Sequence, residues 1–363
     1  MKKIIDSIYE NINPDLSWLK DNTIFLVKAG SHAYGTNIES SDNDYRGIAI
    51  PPKEYLFGFL KTFEQMIKKE PDVTIFNIQK IIKLCAECNP NAIEILFTDP
   101  SDYISINELG EELINNRELF ISRLAKERFL GYAMSQWHRI QSHRDWILHP
   151  ADTLPLRKDF GLQEHPVIPK EQLEAVQSSI TKQLDRWNPD FEPFSEAQKI
   201  WLERNLGELL AELQITSDKQ WECAARKFGC AENFIEILDQ ERRYTGAKKR
   251  YDQYQEWKLS RNKIRFDLEE KYHYDTKNAL HMIRLSRMCI EILETGNVIV
   301  RRNDAKELLD IRNGKYSHDE ISKIFNDLKI KMKLAYDSSI LRKEPDRNKI
   351  DQLCIRLIEK SYR

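Results

Sequence analysis

The pattern of apolar and polar positions changes character along the chain. Residues 23–29 (Thr-Ile-Phe-Leu-Val-Lys-Ala) form a short, largely β-branched and apolar run that stops at Gly30, which predicts a buried strand feeding a tight turn. A second run, Asp44 to Ile50, is closed by Pro51-Pro52, because proline cannot donate to a strand ladder. A third follows Pro71 at Asp72 to Phe76. Behind it Ile78, Ile81, Ile82, Leu84 and Cys85 recur at helical spacing until Asn89-Pro90-Asn91 breaks the helix.

From about residue 104 onward strand signals nearly vanish and apolar residues fall at i, i+3 and i+4. Leu109, Leu113, Leu119, Phe120 and Leu124 do so first, and Leu202, Leu206, Leu209, Leu210 and Leu213 later. A loop-like stretch from His149-Pro150 to Pro169 interrupts the helical part. The expected architecture is α+β: a mixed-sheet core over residues 1–135, a helical insert over 136–270, and a C-terminal helical domain over 271–363 that closes a cleft.

Composition narrows the setting. At 363 residues and 41% hydrophobic content the chain can fill real cores, which excludes a disordered protein. The 56 Lys and Arg nearly balance the 58 Asp and Glu, so a histone-like binder or an acidic tail is not expected. No apolar stretch approaches a membrane span, and the start Met1-Lys2-Lys3-Ile4-Ile5-Asp6 is too polar for a signal peptide. A cytoplasmic protein without a membrane partner is therefore expected. The six cysteines are scattered, and Cys85 and Cys88, the one Cys-x-x-Cys, lie in a helical run without a second pair, so they are read as core thiols.

The candidate chemistry lies in Gly30-Ser31-His32-Ala33-Tyr34-Gly35 and in Asp42-Asn43-Asp44-Tyr45-Arg46. Asp42 and Asp44 stand two apart at the head of a strand, so their carboxylates should share a face, about 6.6 Å apart along the chain. Like charges so placed repel unless a divalent cation neutralises them, and hard oxygen ligands suit Mg²⁺. Gly30 lets the backbone turn closely, and Ser31 offers a hydroxyl and an amide at the start of a short helix, which suits a phosphate. A third carboxylate is needed from a neighbouring strand for two-metal phosphoryl transfer. Asp72 is the first choice for it and Glu70 the second.

Gly-Ser, with eleven residues between Gly30 and Asp42, and then Asp-x-Asp, in that order, resemble the polymerase-beta nucleotidyltransferase superfamily. More narrowly, GSHAYGTNIESSDNDYRGI, DVTIF with NPNAIEILF, and YDTKNALHMIRL resemble the RNA repair pathway polymerase-beta-like nucleotidyltransferases, a family with bacterial and phage members. The resemblance covers residues 20–100 and 270–360. It implies a metal-dependent enzyme that transfers NMP from an NTP to an acceptor, with two Mg²⁺ (or Mn²⁺) ions. It also implies the superfamily roles for Gly30, Ser31, Asp42, Asp44 and Asp72.

Other residues have two readings each. Ser31 can simply cap a helix. Arg46, two beyond Asp44, can neutralise phosphate charge or pair with a nearby carboxylate. Lys277, His281 and Arg284, at i, i+4 and i+7 of a helix starting at Thr276, form a cationic line that can face the triphosphate or plain solvent. Residues 242–287 hold 13 Lys and Arg against 6 Asp and Glu, interleaved with Tyr244, Tyr251, Tyr254 and Trp257, a mixture that suits single-stranded nucleic acid but also occurs on ordinary amphipathic helices. His143-Arg144-Asp145 has the letters of a kinase catalytic loop, yet no Gly-rich loop or Asp-Phe-Gly accompanies it. The expected function is NMP transfer to a hydroxyl acceptor, favoured as an RNA end. The alternatives are protein AMPylation of antitoxin type and a non-catalytic nucleotide- or RNA-binding scaffold.

Overall fold

A computed structural model describes residues 2–39, 41–166, 168–187, 225–226, 229–261 and 263–363. The later leucine series from Leu202 to Leu213 lies outside the described residues. The chain divides into two compact units, residues 1–148 with 262–363, and residues 149–261. The expected junctions at 135/136 and 270/271 differ from these. A single helix runs from Ala125 to Leu148, and the chain beyond residue 262 packs with the N-terminal segment instead of forming a domain of its own.

The first unit begins with α1 (Lys2–Tyr9), β1 (Thr23–Ala29), the short α2 (Gly30–Tyr34), β2 (Asp44–Ala49), α3 (Lys53–Leu56), β3 (Gln65–Lys68) and β4 (Asp72–Asn77). There follow α4 (Ile78–Ala86), α5 (Pro90–Leu96), β5 (Tyr103–Ile106), α6 (Glu108–Asn115) and α7 (Ala125–Leu148). The strands form one mixed sheet in the order β3-β4-β2-β1-β5, in which β2 and β4 run parallel and the remaining pairs antiparallel. β1, β2 and β4 are the three strands that the apolar runs predict. β3 and β5, four residues each at the two edges, carry too little pattern to be read.

The starts of α4 and α5 have a local chemical reason. Asn77 accepts a hydrogen bond from the Gln79 amide to open α4, and Asn89 accepts one from the Asn91 amide to open α5, with Pro90 in the first turn where its missing N–H costs nothing. The sheet then buries both faces. Phe25, Val27 and Ile48 face α4, α5, α7 and the C-terminal helices, whereas Leu26, Tyr45, Val73 and Ile75 face Ile8 of α1, Leu19 and Phe63. Cys85 and Cys88 are fully buried in the larger core, and burial pushes the Cys85 thiol well above the ordinary thiol range.

The second unit contains α8 (Lys170–Trp187) and α9 (Glu232–Ser260). Its small core gathers Ile168, Ile180, Ala225, Ile235 and Leu238, and Arg157 grips the buried Glu241 with two hydrogen bonds of 3.0 and 2.5 Å. The chain then returns to the first unit through α10 (Lys263–Tyr272), α11 (Thr276–Thr295), α12 (Ala305–Arg312), α13 (His318–Ser338) and α14 (Arg347–Ser361). α11 begins where predicted, capped by the Asp275 carboxylate on the Asn278 amide, and ends at Gly296 in the left-handed region. Its apolar residues Ala279, Met282, Ile283 and Met288 join the larger core. No helix among the described residues is long and apolar enough to cross a membrane.

Candidate active site

The turn after β1 sets the geometry. Gly30 has φ +62°, and a β-carbon there would overlap the Asp44 carboxylate, so only glycine lets that carboxylate rest against the bend. Asp44 opens β2 and is paired in register with Ala29 on one side and Asp72 on the other. Because in-register residues of parallel strands point to one face, Asp44 and Asp72 stand side by side on adjacent strands. The expected third carboxylate is thus beside the second one. Asp42 lies two residues before β2 and is exposed, so it belongs to the loop and not to the strand whose face it was expected to share with Asp44.

The electrostatics agree with the geometry. Burial raises the Asp44 pKa above 3.8, Arg46 pulls it down, the Asp72 charge and a hydrogen bond with Asp72 push it up again, and Lys277 lowers it. A half-buried carboxylate whose neighbour is another carboxylate is a place that a cation relieves. Arg46 already does so in part, since its Nη1 lies 3.0 Å from Asp72 Oδ1. The hard oxygen donors of Asp44 and Asp72, with exposed Asp42 nearby in sequence, fit Mg²⁺ or Mn²⁺.

The cationic stripe of α11 divides into two roles. Lys277 is exposed at the helix start and acts electrostatically on Asp44, which ties the C-terminal segment to the site. His281 follows one turn later and is partly buried. Arg284 is 3% exposed and does not face the cleft as a phosphate ligand would. Its Nη1 reaches Glu94 Oε1 at 2.5 Å, and its guanidinium lies 3.7 Å from the centroid of the Tyr34 ring. Tyr34 in turn donates to Glu94 Oε2 at 2.5 Å.

Tyr34, Glu94 and Arg284 therefore form a buried knot that fastens the Gly30–Tyr34 turn to α5 and α11. Burial drives the Tyr34 phenol far above its usual range, so it stays a neutral donor. The Arg302 amide donates to the Tyr34 carbonyl at 3.0 Å and adds a second tie. Glu94 carries no signal of this role in the sequence beyond being a charged residue on the apolar helix Pro90–Leu96. Tyr34 is thus inside the fold, whereas His32 is only partly buried.

The basic, aromatic segment is less open than its composition suggests. Tyr254 and Trp257 are buried, Tyr244 packs on Phe160 and Arg157, and Arg242 pairs with Asp239 at 2.7 Å. Lys248 and Lys249 remain exposed. Three of the four rings counted for base stacking are thus occupied in packing.

Comparison with known proteins adds to this geometry. Residues 4–148 match the family model described as the RNA repair pathway DNA polymerase beta family. Over 325 residues the chain is 22% identical to the uncharacterized 38.9 kDa protein in the nrdC-mobD intergenic region of Enterobacteria phage T4, which spans 84% of this chain and 87% of that protein. Over 81 residues it is 31% identical to the uncharacterized protein YcgL of Bacillus subtilis (strain 168), which spans 21% of this chain and 30% of that protein. No solved structure matches. The Gly30-Ser31 bend and all three aspartates fall inside the span that is similar to the RNA repair pathway DNA polymerase beta family.

Proposed function

We propose that the chain is a metal-dependent nucleotidyltransferase that moves NMP from an NTP to a hydroxyl acceptor, with an RNA end as the favoured acceptor. One observation carries the reading: Asp44 and Asp72 stand in register on parallel strands, and Asp44 rests against the Gly30 bend. In the reaction the acceptor oxygen bonds to the α-phosphorus, the bond to the β-phosphate oxygen breaks, and pyrophosphate departs with the electron pair. Asp72, beside Asp44, would take the acceptor's proton. Asp42, Asp44 and Asp72 would hold Mg²⁺, which would supply the Lewis acidity that such a transfer uses. Ser31 and Gly30 offer hydroxyl and backbone to the triphosphate, and Lys277 adds a positive charge from the opposite segment. His281, one turn further along the same helix, is a further candidate for the nucleotide, and Arg46 neutralises charge beside Asp72.

The family supports an RNA end as acceptor. The test is incubation of the full chain with labelled NTPs, Mg²⁺ and total RNA, beside the Asp44→Asn variant. Label on RNA that requires Asp44 supports the proposal. Label only on a protein Tyr or Ser would move the acceptor to AMPylation, and nucleotide binding without any transfer would reduce the chain to a scaffold.

A further inference from the structure

We propose a second cation site, separate from the aspartates of the sheet, formed by His143, Glu269 and Asp275 and suited to Zn²⁺. A nitrogen of the His143 imidazole and one carboxylate oxygen from each acid all lie within 4.8 Å of one another. The three come from different elements: His143 from α7, Glu269 from α10, and Asp275 from the cap of α11. Glu269 is 1% exposed and Asp275 is fully buried, so this is not the solvated acidic cluster that any surface offers.

The donors are also oriented. Asp275 uses Oδ1 to accept from the Asn278 amide at 2.9 Å, which leaves Oδ2 to face His143 Nδ1 at 3.0 Å. Carboxylates that bind metals are commonly fixed by such an outer hydrogen bond. Trp146 stacks on the His143 ring with centroids 5.5 Å apart and holds its plane. Between the two acids the chain bends at His273, a non-glycine residue at φ +59°, whose carbonyl accepts from Arg144 Nη1 at 3.0 Å. That left-handed backbone is strained for a residue with a side chain, and it brings Glu269 and Asp275 back to one point beside α7.

The donor set selects the ion. One imidazole nitrogen with two carboxylate oxygens is a borderline set, better matched to Zn²⁺ than to Mg²⁺, which prefers oxygen alone. Zinc bonds of about 2.0–2.2 Å put neighbouring ligand atoms about 3.3–3.5 Å apart, within reach of small rotations from the present spacing. Three protein ligands leave a fourth position for water. Such an ion would join α7 of the N-terminal segment to α10 and α11 of the C-terminal one, next to Lys277, and would give the first letter of His143-Arg144-Asp145 a role other than a kinase one.

The test uses the full chain, stripped with a chelator and titrated with Zn²⁺, in wild type, in Asp44→Asn/Asp72→Asn, and in His143→Gln and Glu269→Gln. The expected result is one bound zinc per chain in the wild type and in the sheet double variant, with the unfolding midpoint raised by about 5 °C at saturating metal. Loss of that zinc and of the shift is expected in His143→Gln and Glu269→Gln. Should those two variants fail to fold, Co²⁺ added to Asp44→Asn/Asp72→Asn decides, because a nitrogen-ligated, low-coordinate site gives visible absorption bands. The absence of those bands sinks the site, as does zinc retained in folded His143→Gln, zinc lost from the sheet variant, or no zinc bound at all. In that last case the cluster is only a His143–Asp275 ion pair.

Discussion

Asp44 and Asp72 are cross-strand neighbours in the one parallel pair among the described strands, and the charge of Asp72 helps hold the Asp44 carboxyl above its ordinary pKa. Two acids so placed stabilise the fold less than almost any other pair, because each raises the cost of ionising the other. Under the proposed function, a bound cation would explain such a pair. Replacing either aspartate with asparagine should therefore reduce label transfer by on the order of 10²–10³-fold or more. The unfolding midpoint of Asp44→Asn should stay level or rise. A calorimetric midpoint that falls by several degrees would count against a cation-binding pair and for a structural one.

The raised pKa of Asp44 fixes a pH dependence of opposite sign for folding and for metal binding. The folded state favours protonated Asp44, so its contribution to stability is present at low pH and is lost as pH rises through the raised value. Cation affinity does the reverse, since the carboxylate must be ionised to bind, and it falls on acidification before 3.8 is reached. Lys277→Ala removes a charge that lowers this pKa, and should shift the binding curve to higher pH. Metal titrations at several pH values follow both effects, and an unshifted curve in Lys277→Ala would separate that lysine from the site.

Gly30→Ala tests the bend. The new β-carbon meets the Asp44 carboxylate and the backbone sits at φ +62°, so a loss of about 1–2 kcal/mol of stability is expected. Cation affinity should drop further than that of a control alanine placed at Gly131, where a β-carbon meets nothing within 4 Å. Equal affinity in the two variants would show that the carboxylate does not depend on the close approach.

The buried ion pair of Glu94 and Arg284 allows a double-mutant cycle. Removing one partner leaves the other charge in a dry core, so Arg284→Met alone should cost about 3–5 kcal/mol in chemical denaturation. Combined with Glu94→Gln, which can still hydrogen-bond Tyr34, much of that loss should return. Strictly additive losses would mean that the knot is not a unit.

Much of the sheet and of the candidate site is legible in the sequence because its signals are local. β1, β2 and β4 are apolar runs with a proline or glycine at an end, and the Gly-Ser and Asp-x-Asp spacing lies within fifteen residues. The edge strands escape because Gln-Met-Ile-Lys and Tyr-Ile-Ser-Ile are too short to show a period. The fate of Arg284 escapes for another reason. Helical spacing places it in line with Lys277, but whether a cation on that line meets solvent or a core depends on Glu94, 190 residues away in the chain. Tyr254 and Trp257 teach the same lesson, since composition records rings and charges but not which of them are covered.

The unit that bears the sheet is written in two instalments, with residues 149–261 between them. A ribosome releases β1 to α7 first, and at ordinary rates of synthesis the intervening stretch takes on the order of ten seconds to emerge. Through that interval the flank of α7 destined for α11 has no cover, and Asp44 and Asp72 stand without the lysine that tempers them. The nascent half is then a natural client for chaperones, and the complete site exists only once the final quarter of the polypeptide has arrived.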